Sequence, residues 1–240
     1  METKRSGDLV INGLGSSNGG QFHLVTVNGR GTINTDLECT EFECNGSGTM
    51  KGKVTANLAK VNGNARFNGD VAGQKLTVDG SAKMDQNLYV KQVKVSGKAT
   101  VAGRAECEEI KLHGLFTVEE DCEAEVFKGE SRFTIGGLLN ADQVDIKIYG
   151  ECKAKEIGGQ TILVKQHKGS HIGSLFKPFF KTRLETDLIE GDKIELENTV
   201  AKVVRGHQVK IGPNCEIGLV EYTEKFSQDK NAIIGDIQKV

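Results

Sequence analysis

No apolar run in this chain of 240 residues approaches the roughly 20 consecutive residues that a membrane-spanning helix requires. Charge imbalance is missing too. The 31 Lys and Arg stand against 33 Asp and Glu, a net charge of −2, which gives no electrostatic reason to expect a nucleic-acid partner. No hydrophobic stretch follows the basic residues of "METKRSGDLV", so a secretory leader is not expected. Tryptophan is absent, proline occurs twice, and the six cysteines include no Cys-x-x-Cys pair. The glycine-rich "GLGSSNGG" at 13–20 misses both phosphate-loop patterns, since neither Lys-Ser/Thr nor a helix follows it. A cytoplasmic protein without a nucleotide site is the expectation that these absences leave.

What is plentiful is glycine, 30 residues of it, and much of it is regularly placed. "VTVNGRGTIN" at 25–34 reads alone as a hairpin turn at Asn28-Gly29. The phrase returns, however. Gly29, Gly46, Gly63, Gly80, Gly97 and Gly114 stand 17 residues apart, and the next step falls on Ser131. A fixed period is the mark of a repeat architecture.

Columns through the repeat identify its kind. Four residues before each origin stand Val25, Phe42, Ala59, Leu76, Val93, Ile110 and Phe127, and two before stand Val27, Cys44, Val61, Val78, Val95, Leu112 and Gly129. The columns two, four, eight and ten after the origin are likewise apolar or small. Within each pair the spacing is two, which is strand periodicity. Each unit therefore holds three short strands with inward side chains, separated by corners, the first made by glycine or a short polar residue. Gly52, Gly69, Gly103 and Gly137 mark the second corner. Such a coil is a parallel β-helix, all-β, with rungs about 4.8 Å apart. From Phe116 and Phe133 onward, bulk replaces small residues in one column, so the core is expected to change cross-section.

The repeat loosens later. Gly150 lies 19 after Ser131; "LIEGDKIELENTV" is echoed 15 residues on by "VVRGHQVKIGPNC"; Ile217-Gly218 and Ile234-Gly235 are 17 apart. With "LVING" at 9–13 as an earlier rung, the expectation is roughly a dozen rungs and a length of about 60 Å. The organisation expected is a short tail at 1–8, a regular β-helix at 9–172, an irregular loop at 173–183 and further rungs at 184–240.

The stretches "VNGNARFNGDV", "VDGSAKMDQNLYV" and "VSGKATVAGRAE" resemble the bactofilins, bacterial polymer-forming cytoskeletal proteins, and the likeness extends from about Leu9 onward. The resemblance implies a right-handed β-helix that polymerises end to end without nucleotide. It also implies scaffolding of cell-wall, shape, polarity or motility machinery. The chain is longer than a typical single core, and its N-terminal tail lacks the hydrophobic targeting segment of some members.

Candidate sites follow from this frame. Cys39, Cys44, Cys107, Cys122 and Cys152 occupy inward columns and read as reduced core residues; with Cys215 they lie on different sides of the coil, which does not suit zinc. The histidines are dispersed. No cofactor is expected. Lys60, Lys94, Lys111 and Lys128, with Lys147 in the shifted rung, suggest a basic face, and Glu106, Glu108, Glu123, Glu125 and Asp142 an acidic one. Both are read either as a solvated surface or as a partner face. "GSLFKPFFKTR" interleaves Phe176, Phe179 and Phe180 with Lys177, Lys181 and Arg183, which suits either a membrane interface or packing over irregular rungs.

Two classes of function are compatible. One is a self-assembling scaffold, with itself or a paralogue as first partner, envelope or motility proteins beyond that, and a place at the inner face of the cell membrane. The other is a β-helix enzyme, a polysaccharide lyase or hydrolase using Glu106, Glu108, Glu123 and Glu125, or an acyltransferase-like protein. The short corners build no substrate cleft, which favours the scaffold and a non-enzymatic role. Terminal strands lack an evident cap, so the expected polymerisation contacts are Val10, Ile11, Phe22 and Leu24 at one end and Ile217, Val220, Ile234 and Ile237 at the other.

Overall fold

A computed structural model describes residues 7–167 and 182–240 of the chain. Among them every regular element is a β-strand, and the pairs all run parallel. Two compact units divide the chain, Met1–Glu120 and Asp121–Val240. Of the boundaries expected from sequence, the stretch 173–183 falls largely outside the described residues.

The first unit carries β1 (Leu9–Ile11), β2 (Leu14–Ser17), β3 (Gly20–Val27), β4 (Arg30–Ile33), β5 (Leu37–Cys44), β6 (Ser47–Met50), β7 (Val54–Val61), β8 (Asn64–Phe67), β9 (Val71–Val78), β10 (Ser81–Met84), β11 (Leu88–Val95), β12 (Lys98–Val101), β13 (Ala105–Glu106), β14 (Glu109–Leu112) and β15 (Leu115–Val118). Long and short strands alternate, and each pairs with its counterpart one turn later. Val54 opposes Val71, and Ser47 opposes Asn64, so the register step is 17. This is the parallel β-solenoid the period predicts.

The long strand of each turn covers two sides of the coil. In β5, Leu37, Cys39, Phe42 and Cys44 are buried, while Thr40 and Glu41 both face outward. Two successive outward residues shift the inward phase and bend the strand without interrupting its ladder. One corner per turn therefore needs no glycine. All the columns flanking the origin are buried: Val78 and Val95 are completely covered and oppose each other in register.

At the first corner glycine is required for a steric reason. The corner glycines do not have positive φ. Instead, a Cβ on Gly46 would lie 2.0 Å from the carbonyl oxygen of Gly29, and one on Gly63 would lie 2.1 Å from that of Gly46. The contact is backbone on backbone, and no rotamer change relieves it. The asparagines before these glycines also stack. Asn28 Nδ2 donates to Asn12 Oδ1 at 2.9 Å, Asn45 Nδ2 to Asn28 Oδ1 at 2.9 Å, and Asn62 Nδ2 to Asn45 Oδ1 at 2.7 Å. At another corner a carboxylate or amide accepts the backbone N–H of the next turn: Lys53 donates to Asp36 at 2.9 Å, Asn87 to Asp70 at 3.2 Å, and Arg104 to Asn87 at 3.1 Å.

The second unit contains β16 (Cys122–Gly129), β17 (Phe133–Ile148), β18 (Cys152–Gln166), β19 (Leu184–Leu196), β20 (Thr199–Ile211), β21 (Glu216–Gln228) and β22 (Ile233–Lys239). From β17 to β21 a single strand of 13 to 16 residues spans several sides, leaving one loop corner per turn. The step from β17 to β18 is 19 at Thr134 and becomes 18 after a bulge between Ile135 and Leu138. The step from β19 to β20 is 15 and that from β21 to β22 is 17, as the sequence echoes indicate. Between β18 and β19 the step of 32 includes 168–181, which lie outside the described residues. Phe127 and Phe133 meet edge to face at 5.3 Å, and both are buried.

Candidate assembly interface

In a parallel ladder each strand offers backbone N–H and C=O groups to both sides, and a strand at the edge leaves one row without a partner. In the first unit β1 pairs with β3 and β2 with β4; no strand covers their outer edges among the described residues. Ile11, on β1 itself, is buried, and Phe22 and Leu24 are half-buried on β3. Val10 is 51% exposed and Leu14 is 85% exposed. Leu14 is a contact the sequence reading passes over, because it belongs to an outward column occupied by Arg30, Ser47 and Asn64 in later turns.

At the other terminal rung, β22 pairs with β21 and with no other strand among the described residues. Ile217 opposes Ile234, and Val220 opposes Ile237. Of the four residues expected there, Ile217 and Val220 are buried under the last strand and Ile234 is half-buried. The surface actually presented is Ile237, 41% exposed, with Ile233 at 69% and Val240 at 66%. Beside them the last six residues of β21 lie beyond the span of β22, and Phe226 among them stacks on Tyr222, which opposes Lys239, with ring centroids 5.4 Å apart. Both terminal rungs thus combine an uncovered backbone edge with aliphatic side chains.

Three residues of the charged columns, Lys111, Glu106 and Glu108, form ion pairs. Lys94 does stand beside Lys111, but Lys111 Nζ reaches Glu109 at 2.7 Å. Glu108 is held by Lys91 at 2.9 Å, and Glu106 by Arg104 at 3.0 Å. In the second unit Lys128 opposes Asp145, Glu123 opposes Asn140, and Glu125 is exposed. Lys147 is not in the place the sequence reading gives it: it opposes Lys165 and binds Glu130. The two extra residues of that turn displace it from the Lys128 column.

Opposite charges also lace the second unit. Arg205 joins Glu190 at 3.2 Å and Glu221 at 2.6 Å, one on each neighbouring strand. Lys210 binds Glu195 at 2.8 Å, which holds the Glu195 carboxyl below its ordinary range. A shallow groove of about 580 Å³ runs beside this lacing, floored by Gly158, Gly159, Gly191 and Gly206. No group of three or more His, Cys, Asp or Glu with metal-binding geometry exists among the described residues. Five of the thiols are buried and Cys107 is half-buried. Burial pushes Cys152 and Cys107 up to about 12 and Cys39 and Cys215 up to about 11.

Phe176, Lys177, Phe179, Phe180 and Lys181 lie outside the described residues. Arg183 is described, and its guanidinium makes an ion pair with Glu185 at 2.6 Å. No helix among the described residues is long and apolar enough to cross a membrane.

The uncharacterized protein YhbE of Bacillus subtilis (strain 168) is 63% identical over 227 residues, covering 94% of this chain and 95% of that protein. The uncharacterized protein YhbF of the same strain is 40% identical over 105 residues, 43% of this chain and 42% of its own. No solved structure matches the chain. A family model described as "Bactofilin: Polymer-forming cytoskeletal" matches residues 2–89. A parallel solenoid with uncovered terminal rungs, together with these matches, places the chain in the bactofilin family of polymer-forming cytoskeletal proteins.

Proposed function

We propose that this protein is a scaffold that assembles through its two terminal rungs, without nucleotide, and organises cell-envelope, shape or motility machinery. The observation that carries the reading is the pair of open strand edges, β1 with β2 and β22, each flanked by exposed aliphatic residues. Main-chain pairing supplies direction, and burial of Val10, Leu14, Ile233 and Ile237 supplies about 25 cal/mol for each Å² removed from water. A second family member is a further candidate partner, supported by the presence of two relatives in one Bacillus subtilis strain. Placement at the inner face of the cell membrane is supported by the interleaved phenylalanines and cations at 176–183.

Analytical ultracentrifugation and negative-stain microscopy test assembly. Wild-type protein should sediment as polymer with or without ATP or GTP. Ile237→Lys, on an exposed position of the last strand, should yield small species with unchanged strand content by circular dichroism. Wild-type protein that stays monomeric across salt and concentration, or a folded Ile237→Lys variant that polymerises like wild type, contradicts the proposal.

A further inference from the structure

The sequence contains six Asn-Gly pairs, beginning at Asn12, Asn18, Asn28, Asn45, Asn62 and Asn68. Asn-Gly is the dipeptide most open to spontaneous loss of the side-chain amide, because glycine has no side chain to hinder approach of its nitrogen. The glycine nitrogen attacks Asn Cγ, an N–Cγ bond forms and the Cγ–Nδ2 bond breaks. Ammonia leaves with the proton from that nitrogen. Water then opens the succinimide at either carbonyl, giving aspartate or isoaspartate. A glycine N–H already donated to a carbonyl or hydroxyl is withdrawn from this reaction.

The fold separates the six pairs on that criterion. Gly29 N–H donates to the Ile11 carbonyl at 3.1 Å, Gly46 to Val27 at 3.0 Å and Gly63 to Cys44 at 2.9 Å. Gly19 N–H donates to Thr35 Oγ1 at 2.9 Å. The side-chain amides of Asn28, Asn45 and Asn62 are also held in their ladder. The other two pairs differ. Among the described residues, neither Gly13 nor Gly69 donates its N–H to any acceptor. Asn12 and Asn68 are exposed; among the described residues Asn12 only accepts, from Asn28, and its Nδ2 donates to nothing, while Asn68 makes no side-chain bond. Asn12 stands on the outermost rung, with no turn beneath it to receive the N–H of Gly13 among the described residues.

We propose that Asn12 and Asn68 are modification sites, converting spontaneously to aspartate and isoaspartate while the other four Asn-Gly pairs are protected by the solenoid. Each event adds one negative charge, the first of them on the terminal rung.

The test is incubation of the native full-length protein carrying Ile237→Lys, so that assembly does not cover the terminal rung, at mildly alkaline pH, then rapid digestion and mass spectrometry, scoring the gain of one dalton at each site. A protein-isoaspartate methyltransferase serves as an independent probe. Asn12 and Asn68 should convert at least about tenfold faster than Asn18, Asn28, Asn45 and Asn62, because the protected sites react only after local opening. In urea the six rates should converge. Gly13→Ala should slow conversion at Asn12 about tenfold or more by hindering the attacking nitrogen and leave Asn68 unaffected; an added Cβ there meets nothing within 4 Å, so the fold tolerates it. Comparable native rates at all six sites, or faster conversion at Asn28, Asn45 or Asn62, would overturn the proposal. So would conversion at Asn12 whose rate is undiminished in Gly13→Ala.

Discussion

At the scale of single residues, this solenoid is most sensitive where one turn touches the next. Val95 is fully buried between Val78 and Leu112, its neighbours in register on the adjoining turns. A carboxylate there has no partner, and Val95→Asp should cost about 4 kcal/mol or more. Gly63 has a different constraint. Its missing Cβ would sit 2.1 Å from the Gly46 oxygen, so Gly63→Ala must move backbone and should cost on the order of 2 kcal/mol. Urea denaturation of both variants against wild type checks the pair. A Gly63→Ala protein as stable as wild type would mean that the stacking of turns does not require glycine there.

At the scale of elements, β18, β19, β20 and β21 are tied in sequence by ion pairs as well as by their ladders. Glu195 on β19 and Lys210 on β20 are such a pair. The Glu195 carboxyl is lowered from its ordinary 4.5, first by the hydrogen bond from Lys210. A depressed folded value means stability present above the ordinary value and lost as pH falls through the folded one. Melting temperatures of wild type and Glu195→Gln should therefore differ above pH 4.5 and converge in more acid solution. A difference that persists unchanged at low pH would show that the charge of Glu195 is not what matters. The effect should be small, since the pair is partly exposed and screened.

For the whole molecule, membrane contact and assembly are separable properties. The proposed membrane contact draws on Phe179, Phe180 and the cations around them, while the proposed assembly draws on β1, β2 and β22. Phe179→Ser/Phe180→Ser should reduce co-sedimentation with anionic liposomes several-fold and leave polymer formation intact. Ile237→Lys should do the reverse, losing polymer while retaining the liposome contact of each copy. Undiminished liposome binding by the folded double variant would remove the membrane role of this segment.

The sequence by itself determined the period, the inward columns and thereby the solenoid. Stacked turns place identical chemistry at identical places, and the 17-residue spacing of Gly29 to Gly114 exposes this without a structure. Even the 15-residue turn near the C-terminus was legible, since Leu196 and Ile211 hold equivalent places in it. Tertiary structure decided what depends on the direction of a bond. Asn28, Asn45 and Asn62 look like turn formers in a linear reading; only stacking shows that each amide donates to the one before it. The corner glycines look like a conformational need and prove to be a steric one. Ion pairing was not legible either: Glu106 and Lys111 each meet an opposite charge two residues earlier in the chain, and Glu108 meets Lys91 one turn earlier in its own column. Exposure at the terminal rungs was also beyond the sequence: Leu14 is uncovered and Val220 hidden, because burial depends on which turn lies next and not on how apolar the residue is.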